Sequence, residues 1–178
     1  KFWRVKKFWY ECEDAACDAV RKPGAVVPNG YCSWQRVVDK RRGTDFLFCT
    51  LPNGRRLAYP FPELRERQTP WGAVKMALTF MGMDTFSKKW KRQHTYGGSL
   101  VENIVQAISR DIMAEALQRL EQSGVYIPVL SVHDETVCEV KAGEGNLAEY
   151  EELLTRLPKW AVGCPVSAES WAGARYRK

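Results

Sequence analysis

Apolar residues recur at helical spacing near the start of the chain, at Phe2, Val5, Phe8, Trp9, Cys12, Ala16 and Val20, and Pro23-Gly24 ends the pattern. A first helix over 2–20 follows. Between 25 and 67 the pattern changes to short β-prone runs separated by turn residues, of which 45–51 and 56–59 flank Pro52-Asn53-Gly54-Arg55. Asn-Gly between two such runs predicts a hairpin. The run 74–80 predicts another strand, and 83–92, with its Lys88-Lys89-Trp90-Lys91-Arg92 cluster, reads as a solvated connector. The longest periodic segment covers 99–123, where Leu100, Val101, Ile104, Val105, Ile108 and Ile112 begin an apolar face and Gly124 supplies the stop. Next come β-rich runs at 125–132 and 136–140, joined by His133-Asp134-Glu135 at the tip of a predicted hairpin. A helix over 146–157 closed by Pro158, an edge strand over 164–170 and a basic tail complete the reading.

These elements predict an α+β fold, in which an antiparallel sheet containing the His-Asp-Glu hairpin packs on the long helix and further helices lie at the ends. A length of 178 residues suits one domain with its own core, or a piece of a larger enzyme. With 45% hydrophobic and 27% charged residues, the composition excludes a disordered chain. No apolar run approaches the roughly 18 residues that span a bilayer, so no membrane partner is expected. The basic, aromatic start lacks the apolar stretch and cleavage site of a secretory signal, and the missing Met suggests an excised piece. The net charge of +6 and a pI near 9.0 favour polyanionic partners. The six cysteines show no paired Cys-x-x-Cys spacing, and reduced thiols in a cytoplasm are expected.

Chemistry concentrates at His133-Asp134-Glu135. Adjacent acids beside the apolar Val129, Leu130 and Val132 are costly unless a cation satisfies them, and an oxygen-rich pair favours Mg²⁺ or Mn²⁺. The alternative is a polar tripeptide that merely turns the chain. On the preceding helix, Asn103, Gln106 and Arg110 stand three and four residues apart and share one face. Amides there suit the minor groove, whose A N3 and T O2 acceptors are alike in either orientation. An amphipathic helix with a solvated polar side fits the same spacing. His94, the lysine cluster from Lys88 to Lys91, scattered tryptophans including Trp71, and Tyr96-Gly97-Gly98 as a phosphate loop are weaker candidates.

Taken in order, Tyr96-Gly-Gly, the run Glu102-Asn-Ile-Val-Gln-Ala107, Arg110-Asp111, the Val-His-Asp-Glu tip and a closing Gly-x-Arg-Tyr-x-Lys from Gly173 to Lys178 resemble the C-terminal part of family A DNA polymerases. Their bacteriophage branch is the nearer match. The likeness is tightest from Trp90 to Val140 and extends to Leu51-Pro-Asn-Gly-Arg-Arg-Leu-Ala-Tyr59 and Pro158-Lys-Trp-Ala161. It implies a partial polymerase over 1–178, a palm-type region divided into a helix plus β-rich segment (1–94) and a long helix, motif C hairpin and C-terminal helix and strand (95–178). Asp134 would then be the motif C aspartate that holds Mg²⁺, two ions in the complete enzyme, with a second aspartate from motif A. Glu135 would be its supporting neighbour and His133 would lie near the primer terminus. Gln106 would contact duplex, Asn103 or Glu102 would take the preceding contact position, and Arg110 would meet phosphate or pair with Asp111. Primer-template DNA, deoxynucleoside triphosphates and the missing N-terminal part of the polymerase are the implied partners, in the cytoplasm of a bacterial host.

The sequence departs from that family in having no Asp-x-Ser-x-x-Glu segment and no Arg-x-x-x-Lys helix followed by Tyr-Gly. The isolated chain is therefore expected to be inactive. Two rivals stay open: a DNA-grasping module or split-polymerase subunit that needs no metal, and a metal-dependent phosphohydrolase with Glu139 and Glu169 joining Asp134.

Overall fold

The computed structural model describes residues 2–68, 72 and 74–176. Trp71 and the last two residues of the closing motif, Arg177 and Lys178, lie outside the described residues. In chain order the elements are α1 (Trp3–Arg21), β1 (Val26–Asn29), β2 (Cys32–Asp39), β3 (Thr44–Thr50), β4 (Arg56–Pro60), β5 (Glu63–Gln68), β6 (Val74–Met83), β7 (Trp90–His94), α2 (Gly97–Gln122), β8 (Ile127–Val132), β9 (Glu135–Glu139) and α3 (Leu147–Thr155), followed by a short 3-10 turn, Lys159–Ala161. This is an α+β chain with antiparallel pairing throughout its described strands. The strands divide into three sheets, β1-β2-β3-β4, β5-β6-β7 and β8-β9, so the His-Asp-Glu hairpin is a two-stranded sheet of its own.

The chain forms two compact units, Lys1–Gln106 and Ala107–Lys178, and α2 begins in the first and ends in the second. In the first unit Cys12, Ala15, Ala16, Ala19 and Val20 are the buried side of α1, whereas Phe2, Val5 and Trp9, at the same helical spacing, stay exposed. The buried side meets the inner face of the four-stranded sheet, where Trp34, Leu47, Cys49 and Tyr59 are almost wholly enclosed. Burying each large apolar side chain of this kind contributes about 1.5 to 3 kcal/mol. Arg36 ties the layers together: its Nη1 donates to the carbonyl of Val20 at 3.0 Å, and its Nε and Nη2 grip Asp45 at 2.9 and 2.6 Å.

The hairpin predicted around Asn53-Gly54 is β3-β4, with the Asn53 carboxamide oxygen accepting the N–H of Arg55. The connector predicted over 83–92 proves to be a turn followed by a strand. Met83 pairs with Trp90, and β7 continues to His94. Asp84 organises the turn, accepting from Ser87 N–H and Oγ at 2.7 Å each and pairing with Lys91 at 3.0 Å. Trp-Lys-Arg-Gln-His lacks the alternation that marks a strand; backbone pairing with β6 makes it one.

In the second unit, Ser123 and Gly124 end α2. The Ser123 hydroxyl donates to the Leu120 carbonyl at 2.6 Å, and Gly124 takes a φ of 71° that favours glycine. Asn146 caps α3 by accepting the N–H of Glu149. The edge strand predicted over 164–170 does not form. Pro165 cannot donate to a ladder, and at the end of the segment Ser170 gives its N–H and hydroxyl to the Glu151 carboxylate instead.

Candidate functional site

The β8-β9 hairpin has a two-residue turn, His133-Asp134, and Glu135 already belongs to β9, opposite Val132. His133 adopts a φ of 53°, the left-handed conformation that tight hairpin turns require at their first central position. Histidine enters that region more readily than β-branched residues, but it still carries strain. The turn leaves the His133, Asp134 and Glu135 side chains exposed at one tip, and among the described residues Asp134 forms no ion pair.

Glu135 is engaged. Its Oε2 accepts the hydroxyl of Tyr176 at 2.8 Å, and that carboxylate holds the Tyr176 phenol above its ordinary pKa. The closing Gly-x-Arg-Tyr-x-Lys motif therefore touches the hairpin tip through its tyrosine, to which sequence reasoning assigned no role. Two contacts steady the hairpin: Thr136 Oγ1 meets Met113 Sδ of α2 at 3.5 Å, and the Tyr150 hydroxyl of α3 donates to the Thr136 carbonyl at 2.9 Å; a register irregularity falls between Pro128 and Leu130. Burial pushes the Tyr150 phenol well up. On the far side of α2, Trp160 Nε1 donates to Glu115 at 2.6 Å and Arg119 Nε to the Leu153 carbonyl at 3.0 Å.

Asn103, Gln106 and Arg110 are all exposed on α2; the first two belong to the first unit and Arg110 to the second. Within the first unit the Asn103 amide donates to the Tyr59 hydroxyl at 3.3 Å, and Gln106 Nε2 to Glu102 at 3.3 Å. Burial raises the Tyr59 phenol to about 12.

Tyr96-Gly97-Gly98 does not make a phosphate cradle. The Gly97 N–H donates at 2.9 Å to the buried carboxylate of Glu13, which also takes Lys75 Nζ at 2.6 Å. A Cβ at Gly97 would overlap the carbonyl of Trp9, so the glycine is there to let two backbones meet. His94 ends β7, exposed, opposite Thr79.

Among the described residues no three His, Cys, Asp or Glu side chains gather as a metal-holding group. Glu139 lies at the far end of β9 and Glu169 on the irregular segment before Ser170, both exposed. Asp134 offers an uncommitted carboxylate beside a Glu135 already bonded to Tyr176, and among the described residues no further His, Cys, Asp or Glu completes a ligand set around it. No described helix is long and apolar enough to cross a membrane.

Along its entire length the chain is 40% identical, over 183 aligned residues, to a protein of Bacillus phage SP02. That relative is a DNA polymerase. The chain spans 26% of this polymerase's length, about a quarter of it. No protein-family model matches the chain, and no solved structure does. The aligned region covers the whole chain, so it takes in the β8-β9 hairpin, α2 and the C-terminal segment.

Proposed function

We propose that this chain is the C-terminal palm segment of a phage-type family A DNA polymerase, which extends a primer by template-directed addition of deoxynucleotides. The observation that carries the reading is the end-to-end similarity to a phage DNA polymerase, joined to an exposed aspartate on a strained two-residue turn. Asp134, with a second aspartate from the rest of the polymerase, would hold Mg²⁺, which supplies electrostatic stabilisation of the attacking and leaving oxygens. Glu135, tethered by Tyr176, keeps the tip in place. His133 lies beside the primer terminus, Gln106 and Asn103 face the duplex, and Arg110 meets a phosphate. Primer-template DNA and deoxynucleoside triphosphates are the partners, along with the remainder of the polymerase polypeptide.

On this reading the second metal-holding aspartate comes from the rest of the polymerase, so no activity is expected of the isolated chain. The test is primer extension by the complete polymerase that contains this segment. Asp134→Asn lowers the rate by about 100-fold or more, the scale for losing one transition-state stabiliser. An undiminished rate in that variant, or extension by the purified 178-residue chain alone, overturns the reading.

A further inference from the structure

The four-stranded sheet of the first unit has two unlike faces. Trp34, Leu47, Cys49 and Tyr59 point to the inner side and are at most 4% exposed. The register sets Val26, Gln35, Val37, Phe46, Phe48 and Arg56 on the other side: Gln35 lies opposite Val26 and Phe48, Val37 opposite Phe46, and Thr50 opposite Arg56. Val26 remains 59% and Val37 39% exposed on that outer side. The Phe46 and Phe48 rings stack with centroids 5.6 Å apart and planes 19° from parallel, and the Arg56 guanidinium lies 4.4 Å over the Phe48 ring.

Charge follows the rings. Between Val26 and Pro60 stand Arg36, Lys40, Arg41, Arg42, Arg55 and Arg56, against the acids Asp39 and Asp45. Arg36 and Asp45 neutralise each other at 2.6 Å; one Asp39 oxygen is taken by the N–H groups of Arg41 and Arg42, and the other pairs with Arg42 Nε at 3.8 Å, which leaves Lys40 and Arg41 as the cations of that turn with no ion pair among the described residues. Cations therefore stand at both ends of β3, the exposed Lys40-Arg41-Arg42 turn at one and Arg56 at the other, with two stacked rings between them.

We infer that this outer sheet face binds single-stranded nucleic acid. Phe46 and Phe48 are half-buried and the Arg56 guanidinium covers one face of Phe48, so an unpaired base stacks on the ring surface that stays open and on the Arg56 plane, while the flanking phosphates meet the Lys40–Arg42 turn; aromatic platforms bordered by cations bind single strands with little sequence preference. The length of β3, seven residues and roughly 23 Å at the usual strand rise, accommodates several nucleotides. A protein partner would need to be acidic at two ends and apolar at its centre, whereas a single strand has alternating charge and π surface by its own chemistry. None of these residues is assigned a role in the proposed nucleotidyl transfer, and the inference does not rest on it.

The test is fluorescence anisotropy of a short labelled oligothymidine titrated with the purified chain. Binding that weakens as salt rises is expected. The Phe46→Leu, Phe48→Leu double variant keeps apolar bulk but removes both π faces, and it binds at least about fivefold more weakly. Arg56→Gln lowers the slope of log affinity against log salt by about 0.7. Should the double variant fail to fold by circular dichroism, photocrosslinking of a bromodeoxyuridine-containing strand to the unmodified chain decides: crosslinks in β3 or β4 support the site. Absence of binding, equal affinity in a folded double variant, or crosslinks confined to other elements overturns it. So does a face that becomes protected from solvent only when the rest of the polymerase is added.

Discussion

Tyr176 Oη and Glu135 Oε2 lie 2.8 Å apart across 41 residues of sequence, and this bond joins the described C-terminal segment to the hairpin tip. The carboxylate disfavours the phenolate, so the Tyr176 phenol titrates above its ordinary value. Converting Glu135→Gln removes the negative neighbour, and ultraviolet titration, referenced to a Tyr176→Phe chain, should then show Tyr176 ionising at lower pH. An unchanged titration would mean that the tether does not hold in solution.

Two neighbouring helix residues are expected to respond differently to salt. Gln106→Ala removes a neutral donor, weakening primer-template binding by the complete polymerase up to about tenfold at every salt concentration, since a neutral hydrogen bond contributes about 0.5 to 1.5 kcal/mol. Arg110→Ala removes one phosphate contact and reduces the salt slope by about one. Parallel salt titrations of the two variants separate these roles. Equal slopes would place Arg110 away from the phosphates.

At the start of α2, Gly97→Ala is expected to destabilise the first unit by about 1 to 3 kcal/mol, because its Cβ collides with the Trp9 carbonyl rather than with a flexible side chain. Glu13→Gln should also cost stability, about 1 to 3 kcal/mol, by weakening the bond to the Gly97 N–H and breaking the Lys75 pair. Urea denaturation measures both. Gly98→Ala offers a milder comparison, since its nearest obstruction is the ring of Tyr96, a movable side chain.

Stability should fall in alkali. Burial pushes the Cys12 thiol up to about 12 and the Cys17 thiol to about 11, from an ordinary 9.0, and Tyr59 to about 12 from 10.0. These groups stay protonated when folded and ionise when unfolded. The stability they confer is fully present below pH 9 and is lost as pH rises towards 12. Urea denaturation at about pH 10.5 should give a free energy on the order of 2 to 4 kcal/mol below that at about pH 8. Cys12→Ala should flatten the dependence, and a flat profile in the unaltered chain would contradict the assignment.

How much of this could be read from the chain depends on how local each signal is. Helical periodicity places α1 and α2 within two residues of their observed ends, because apolar spacing and the Pro23-Gly24 and Gly124 stops act over single turns. Asn53-Gly54 marks the β3-β4 hairpin for the same reason. Trp90-Lys-Arg-Gln-His carries no alternation that would mark β7 in the sequence, and it owes its conformation to the partner strand β6. The edge strand over 164–170 was expected from composition alone, and the Glu151 carboxylate on α3 takes the Ser170 N–H instead.

The candidate site divides in the same way. Sequence alone determined that His133, Asp134 and Glu135 stand at the joint of two β-runs, since residue type and spacing select a turn there. Only tertiary structure decided that Tyr176 reaches Glu135, that Glu13 occupies the N–H of Gly97, and that Phe46, Phe48 and Arg56 share the outer face of one sheet. Those relations span distances along the chain that no local preference encodes, and they form where hydrogen bonding, close backbone contact and strand register bring remote residues together.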